Sequence, residues 1–381
     1  MMKLTTTTRL ERLQDRYRNG GLDRRQFLGL TAAATASAGI FLPWGSKALA
    51  QVKEVRFDGW GGVVQEAMTK YAFDPFTAKT GVGVTQGTFG DENEIIAKAK
   101  TSNPGDFQIV HSSGVEYYVK YLNAGLTSEI NEANIPNIAN VMPAMIEPFR
   151  KLSPKLSAVP YDYGTTGIAY NTTVISPEEA AQKGASMLFD PAYAGKIGGY
   201  DSMVTRVWYA ALATGQDPNN IQDIEAVWAK VREQRDLAKK FWSSGAELMD
   251  LLSKGEIVVT DAWSGRVAAL QQQGAPIGYI DPPGSYAWME DMLILKGSPM
   301  AECEELVNFM LDTATSIAVA EGQNYPPSLD PTKVELTDKI KALPAFDPTG
   351  KMEALTFADP NYWSANETEW QKQWDRIAKG A

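Results

Sequence analysis

Beyond residue 54 the chain alternates between short apolar runs ending in glycine and longer stretches with apolar residues three and four apart. Val55-Arg56-Phe57-Asp58-Gly59-Trp60-Gly61-Gly62 has the first pattern and reads as a strand running into a Gly-rich turn. Over 63–80, Ala67, Met68, Tyr71, Ala72 and Phe76 fall on one helical face, and Lys79-Thr80-Gly81 supplies the stop. Residues 82–89 return as a strand. A helix is predicted over 91–101, with Asp91 as its cap and Glu94 three residues on. A third strand over 106–110 and a helix over 115–123, ended by Gly125, complete a β-α-β-α-β-α order. That order predicts a parallel sheet with helices on its faces.

The segment from Val159 to Tyr170 reads as two extended pieces around a joint of small residues, Gly164-Thr165-Thr166-Gly167. A second α/β region follows. Strands are predicted over 196–200, 256–261, 277–280 and 288–295, and helices over 204–214, 221–240, 245–252, 265–273, 303–311 and 315–321. The tail carries Trp363, Trp370 and Trp374, and an amphipathic helix over 367–379 is expected to pack these rings. No internal repeat or low-complexity linker interrupts the pattern.

The first fifty residues follow a different plan. Eight basic and three acidic residues give them a net charge of +5. Asp23-Arg24-Arg25-Gln26-Phe27-Leu28 precedes a weakly apolar stretch to Trp44, and Ala48-Leu49-Ala50 forms a small-x-small site. This is the order of a cleaved secretory signal, and the paired arginines before Phe-Leu resemble a twin-arginine signal. The apolar run is short for a span of ~20 residues. The expectation is a leader over 1–50 and a soluble bacterial periplasmic protein from about Gln51 onward.

The whole chain has 381 residues and a net charge of −10, so the part beyond the leader carries −15, with 28 basic residues against 43 acidic. An acidic balance of this size argues against nucleic-acid binding. The single Cys303 excludes an intramolecular disulfide and a thiolate zinc cage, and the single His111 excludes a multi-His metal site. No GxSxG, HExxH, CxxC, GxxxxGK[ST] or GxGxxG motif occurs. Cys303 sits among Leu306, Val307 and Met310 and reads as a core thiol. Glu290 and Asp291 are neighbours on a strand, so they point to opposite faces and do not form a general acid/base pair. The chain reads as a binder, and no cofactor or metal is expected.

Aromatic residues gather at strand ends and in Gly-rich turns: Trp60, Tyr161 and Tyr163 around Asp162, Trp263, and Trp288 ahead of Glu290. In open α/β sheets ligands sit beyond the carboxyl ends of the strands. Aromatic faces interleaved with carboxylates suit an amine, through cation–π attraction and charge-assisted hydrogen bonds.

From Val55 to the C-terminus the chain resembles the bacterial ABC-transporter solute-binding proteins of the spermidine/putrescine type. The resemblance is carried in order by Phe57-Asp58-Gly59-Trp60, Thr88 to Glu94, Asp106 to Val110 with Ser112 and Ser113, and Val159 to Gly164. Ala262-Trp263-Ser264-Gly265, Ala287-Trp288-Met289-Glu290, Glu305 to Leu311 and Tyr325-Pro326 complete it. It implies an α/β fold of two lobes, the type II periplasmic-binding-protein architecture, with hinge strands and a ligand cleft between the lobes. The expected lobes are 51–166 with 290–332, and 167–289 with 333–381. The resemblance implies that Trp60, Trp263 and Trp288 stack on the ligand and Glu290 takes an ammonium group. Ser112 or Ser113, and Tyr161 or Tyr163, would then donate hydrogen bonds. The protein would be a monomer that captures an amine such as putrescine or spermidine and docks on an inner-membrane ABC permease.

The chain departs from that type over Tyr200 to Trp208, where the type has several acids and this sequence has only Asp201, with Arg206 beside it. Two ligand classes are therefore expected. One is a polyamine held by a rearranged set of Asp58, Asp91, Asp201, Asp261 and Glu290. The other is a zwitterion such as γ-aminobutyrate or a betaine, with its carboxylate on Arg206. Ferric-ion capture by Tyr117, Tyr118, Tyr161 and Tyr163, and a periplasmic enzyme using Asp or Glu, are the remaining alternatives.

Overall fold

The computed structural model describes residues 54–378 and 380, so the leader features lie outside the described residues. The first α/β unit follows the sequence pattern. Strand β1 (Glu54–Gly59) pairs in parallel with β2 (Gly83–Thr88) and with β3 (Ile109–Ser112). Between β1 and β2 the chain forms helix Gly62–Met68, a π-turn stretch Thr69–Phe73 and helix Asp74–Thr80. Their shared face buries Val64, Met68, Ala72, Phe73 and Phe76. Gly81 closes the run at φ 75°, a left-handed position where glycine avoids a Cβ penalty.

Strand β4 (Ala158–Asn171) is fourteen residues long and buried at all but its last position. It runs antiparallel to β9 (Tyr286–Ile294), and β9 in turn pairs antiparallel with β3. On the far side β4 pairs with β7 (Val259–Trp263), which joins a second parallel set, β5 (Ile197–Tyr200) and β6 (Ala238–Trp242). The main path is β2-β1-β3-β9-β4-β7-β5-β6, with β8 (Ile277–Ile280) on β4 and β10 (Thr356–Phe357) on β9. Two parallel α/β lobes are thus joined through long antiparallel strands, the two-lobed fold expected.

Three local differences have physical causes. The helix expected over 221–240 stops at Leu237, and Ala238–Trp242 pairs as β6 instead. Ala and Lys are good helix formers, but intrinsic propensity is worth less than tertiary context, and the pairing with β5 overrides it. On this edge strand Lys239 and Lys240 stay exposed, which discourages further pairing. The third strand begins three residues late because Asp106 is held in a turn, its carboxylate accepting from Asn103 N at 3.0 Å. Helix Pro143–Leu152 has no counterpart in the sequence reading; Pro143 opens it at a position that needs no N–H partner, and Pro148 lies inside it.

The tail divides. Val334, Leu336, Ile340 and Leu343 pack with Ile317, Ala320 and Leu329 beside helix Thr313–Gln323 of the first unit. Helix Pro360–Ala378 is longer than expected and lays Trp363, Trp370 and Trp374 on the second lobe's core. Trp363 stacks on Trp208 at 5.6 Å, and the Trp208 Nε1 donates to Gly284 O at 2.8 Å. Replacing this fully buried ring by Trp208→Ala is expected to cost about 3–5 kcal/mol, read as a fall in the urea midpoint.

Candidate ligand-binding site

The carboxyl ends of β1, β3 and β7 open on one cavity of about 790 Å³, solvent at its mouth included. Trp60 follows β1 in a turn where Gly61 and Gly62 both take positive φ, and it packs edge-on to Phe89 at 4.6 Å. Ser113 and Glu116 enter from the start of helix Gly114–Asn123, where Glu92 accepts from Ser113 N at 2.8 Å. Trp263 ends β7 and meets Tyr200 and Trp242 edge-on, each at 5.0 Å.

Two glycines shape the remaining wall. Trp288 lies on β9 opposite Gly164 of β4, where an added Cβ would sit 2.6 Å from the indole. Tyr325 lies over Gly265, where a Cβ would sit 2.5 Å from the phenol ring. The two rings then meet edge to face at 4.9 Å and 82°. The Nε1 groups of Trp60 and Trp288 are buried without a hydrogen-bond partner, so each remains a free donor at the cavity wall.

The cavity carries both signs of charge. Glu290 is 9% exposed, with its Oε2 3.1 Å from His111 Nε2. Burial, then the neighbouring Asp162, hold its carboxyl well above the usual carboxylate range. Burial also pushes Glu116 up to about 7, against a hydrogen bond from Tyr286 OH at 3.1 Å. Arg266, on helix Ser264–Gln272, is 5% exposed and lines the same cavity. Its Nη1 is buried without a partner. The guanidinium fits against Gly245, where a Cβ would lie 2.4 Å from Nε.

Of the residues expected at the site, Trp60, Ser113, Trp263, Trp288 and Glu290 line the cavity. Ser112, Tyr161, Tyr163, Asp201 and Arg206 do not. Ser112 is buried in β3 opposite Asp291. Tyr161 is buried with its ring edge-on to His111 at 6.1 Å, and Tyr163 OH accepts from Asp347 N at 3.1 Å. Asp201 is exposed on the turn after β5. Arg206 points into the lobe interior, 0% exposed, paired with Asp261 of β7 and donating to Gln234 Oε1 at 2.7 Å. The rearranged acidic set is also dispersed. Asp58 pairs with Arg56 at 2.8 Å, Asp91 caps helix Glu92–Thr101, and Asp261 is taken by Arg206. Glu116 stands in the cavity in their place. The tyrosines considered for ferric iron are not brought together: Tyr117 alone of the four lines the cavity, and Tyr118 OH accepts from Ser157 N. Cys303 is fully buried, its thiol pushed up to about 12 by that burial.

Sequence reasoning missed Arg266, Glu116, Thr166, Tyr200, Tyr286 and Tyr325. A signal existed for Arg266, which follows Trp263-Ser264-Gly265 directly and so opens a helix at a strand's carboxyl end.

Two lobes, crossing strands and a mixed-charge aromatic cavity define a protein of the two-lobed class with a site for a small ligand. Residues 71–348 match the family described as bacterial extracellular solute-binding protein, and the chain belongs to that family. It is 26% identical over 259 residues to the spermidine/putrescine-binding periplasmic protein of Escherichia coli (strain K12), covering 66% of this chain and 72% of that one. It is 22% identical over 346 residues to a gamma-aminobutyric acid-binding protein of Pseudomonas aeruginosa, covering 88% and 94%. Among solved structures, MotA from A. tumefaciens B6 in complex with glucopine superposes with a TM-score of 0.72 at 21% identity, over 85% of this chain and 99% of that one. PotD from Streptococcus pneumoniae superposes at 0.67 and 21% identity, over 86% and 99%.

Arg206→Met leaves Asp261 as a buried charge without its partner. The expected loss is about 3–5 kcal/mol of stability, measured by denaturant unfolding.

Proposed function

We infer that the protein captures a small amine in the periplasm for an ABC importer, and that this ligand also carries a carboxylate. The observation that carries the reading is Arg266, whose buried Nη1 lacks a partner in the same cavity as Glu290. A guanidinium held this way awaits an anion, and a carboxylate meets it with charge-assisted hydrogen bonds. The ammonium end fits among Trp60, Trp263 and Trp288, whose faces attract a cation, with Glu290 as its counter-charge. A γ-amino acid has the required two ends. The gamma-aminobutyric acid-binding relative supports this choice, with the zwitterion's carboxylate on Arg266 and not on Arg206.

A linear diamine is the second reading, favoured by Glu116 and Glu290 lining one cavity and by the spermidine/putrescine-binding relatives. In either case the lobes close on the ligand about the long strands, and the closed monomer docks on an inner-membrane permease. Export of the folded chain through the leader at Arg24-Arg25 belongs to the same reading.

Calorimetry with γ-aminobutyrate, putrescine and spermidine separates the two. For the zwitterion, Arg266→Met is expected to weaken γ-aminobutyrate by about 10–150-fold, the loss of a charged hydrogen-bonded contact, without weakening putrescine. Glu290→Gln weakens both. Putrescine binding more tightly than γ-aminobutyrate, and tighter still in Arg266→Met, selects the diamine. No binding below millimolar by any of the three sinks the amine reading.

A further inference from the structure

His111 of β3, Asp162 of β4 and Glu290 of β9 meet beneath the cavity floor. The imidazole Nε2 lies 3.1 Å from Glu290 Oε2 and 3.6 Å from Asp162 Oδ2. Asp162 and Glu290 are direct partners across the β4–β9 ladder, the placement in which two ionised carboxylates repel most. His111 and Asp162 are 0% exposed, and only Glu290 of the three reaches the cavity. Gln323 donates to Asp162 Oδ2 at 2.5 Å, while Asp162 Oδ1 has no partner. The other charged or titratable groups facing the trio are Arg266 of helix Ser264–Gln272, Tyr325, Glu92 of helix Glu92–Thr101, and Tyr161 of β4.

The Asp162 and Glu290 carboxylate oxygens lie within 4.8 Å of each other, and two carboxylates packed this closely away from water share a proton. We propose that the trio is a proton-exchange site, in which the Asp162–Glu290 pair holds a proton while the cavity is empty and an arriving ammonium group displaces it. The exchange balances simply. The Glu290 carboxylic acid and the ligand's ammonium give a carboxylate–ammonium pair, and one proton leaves to water with no electrons moved. This rests on the amine reading above. Asp162 and His111 are then positioning residues: they set when Glu290 becomes charged, without touching the ligand. Burial and Asp162 raise the Glu290 carboxyl, which is the direction the exchange requires. Because binding releases a proton, affinity rises with pH, up to about tenfold per unit while the empty pair stays protonated.

The test uses protein without a histidine tag, so that His111 is the chain's only histidine. Titrations with γ-aminobutyrate and putrescine, each in phosphate and in Tris, count protons by the difference in buffer ionisation heat. The expected release is about one proton per amine near neutral pH, falling well below half in Asp162→Asn. A count near zero, or the same count in both proteins, overturns the proposal. The His111 ring nitrogens, followed by NMR in ligand-free protein between about pH 5 and 8, supply a second reading. Their signals are expected to shift in Asp162→Asn and in Glu290→Gln. Signals identical in all three proteins overturn the proposal whether or not an amine binds. Saturable zinc binding to the wild type, lost in both variants, assigns the trio to metal capture and overturns it as well.

Discussion

The site depends on the register of β4 against β9. These strands sit at the middle of the sheet, link its two parallel sets, and carry residues that build the cavity from beneath. Their ladder sets Gly164 opposite Trp288 and Asp162 opposite Glu290, and Thr166 of β4 reaches the cavity wall. A slip of one residue would turn each of these side chains to the other face. It would bring a bulkier residue under Trp288 and leave Glu290 away from His111. Burial along nearly the whole of β4 penalises such a slip, and an irregularity between Pro160 and Asp162 helps mark one alignment as unique. A hinge strand in this fold is therefore a joint between lobes and also the floor of the binding site.

The rings are positioned by absences as much as by contacts. Gly164 and Gly265 leave room for Trp288 and Tyr325, and Gly245 leaves room for Arg266. Each is a place where a methyl group would occupy the volume of a ligand-facing side chain. These groups are thus held against backbone, which moves little, so the aromatic and cationic surfaces are set before a ligand arrives. Such pre-organisation lowers the ordering cost of binding. The free indole N–H groups of Trp60 and Trp288 and the free Nη1 of Arg266 fit the same picture. A buried donor without a partner is costly in the empty protein, and that cost is recovered only when an acceptor enters.

Much of this was legible in the sequence, for identifiable reasons. Trp60 and Trp263 could be read as cavity residues because each follows a strand at a glycine-rich or helix-opening turn, and topology puts such ends on one rim. Glu290 could be read because it follows Trp288 by two residues on one strand, and so shares its face. Arg206 could not be read correctly. Its helix, Met203–Ala213, is apolar on most sides and gives no phase. What decides its direction is Asp261, fifty-five residues away and delivered by β7. The same limit applies to Tyr161 and Tyr163, whose surroundings are set by His111 and by Asp347. Local pattern locates strands and turns, whereas the partner of a buried charge comes from elsewhere in the chain.

Net charge is a poor guide to what this cavity accepts. Beyond residue 50 the chain carries −15, which favours the approach of cations through a field screened over about 8 Å in physiological salt. Inside, several acids are paired or held toward neutrality. Asp58 and Asp261 are committed to arginines, and Glu92, Glu116 and Glu290 are all raised by burial, toward the neutral acid. Against these weakened acids Arg266 keeps a full charge, since guanidinium does not lose its proton in proteins. The exterior therefore steers by its sum, while the cavity presents Arg266 beside acids that burial holds toward the neutral form. A ligand with an anionic and a cationic end satisfies both at once, and it leaves neither Arg266 nor Glu290 buried alone.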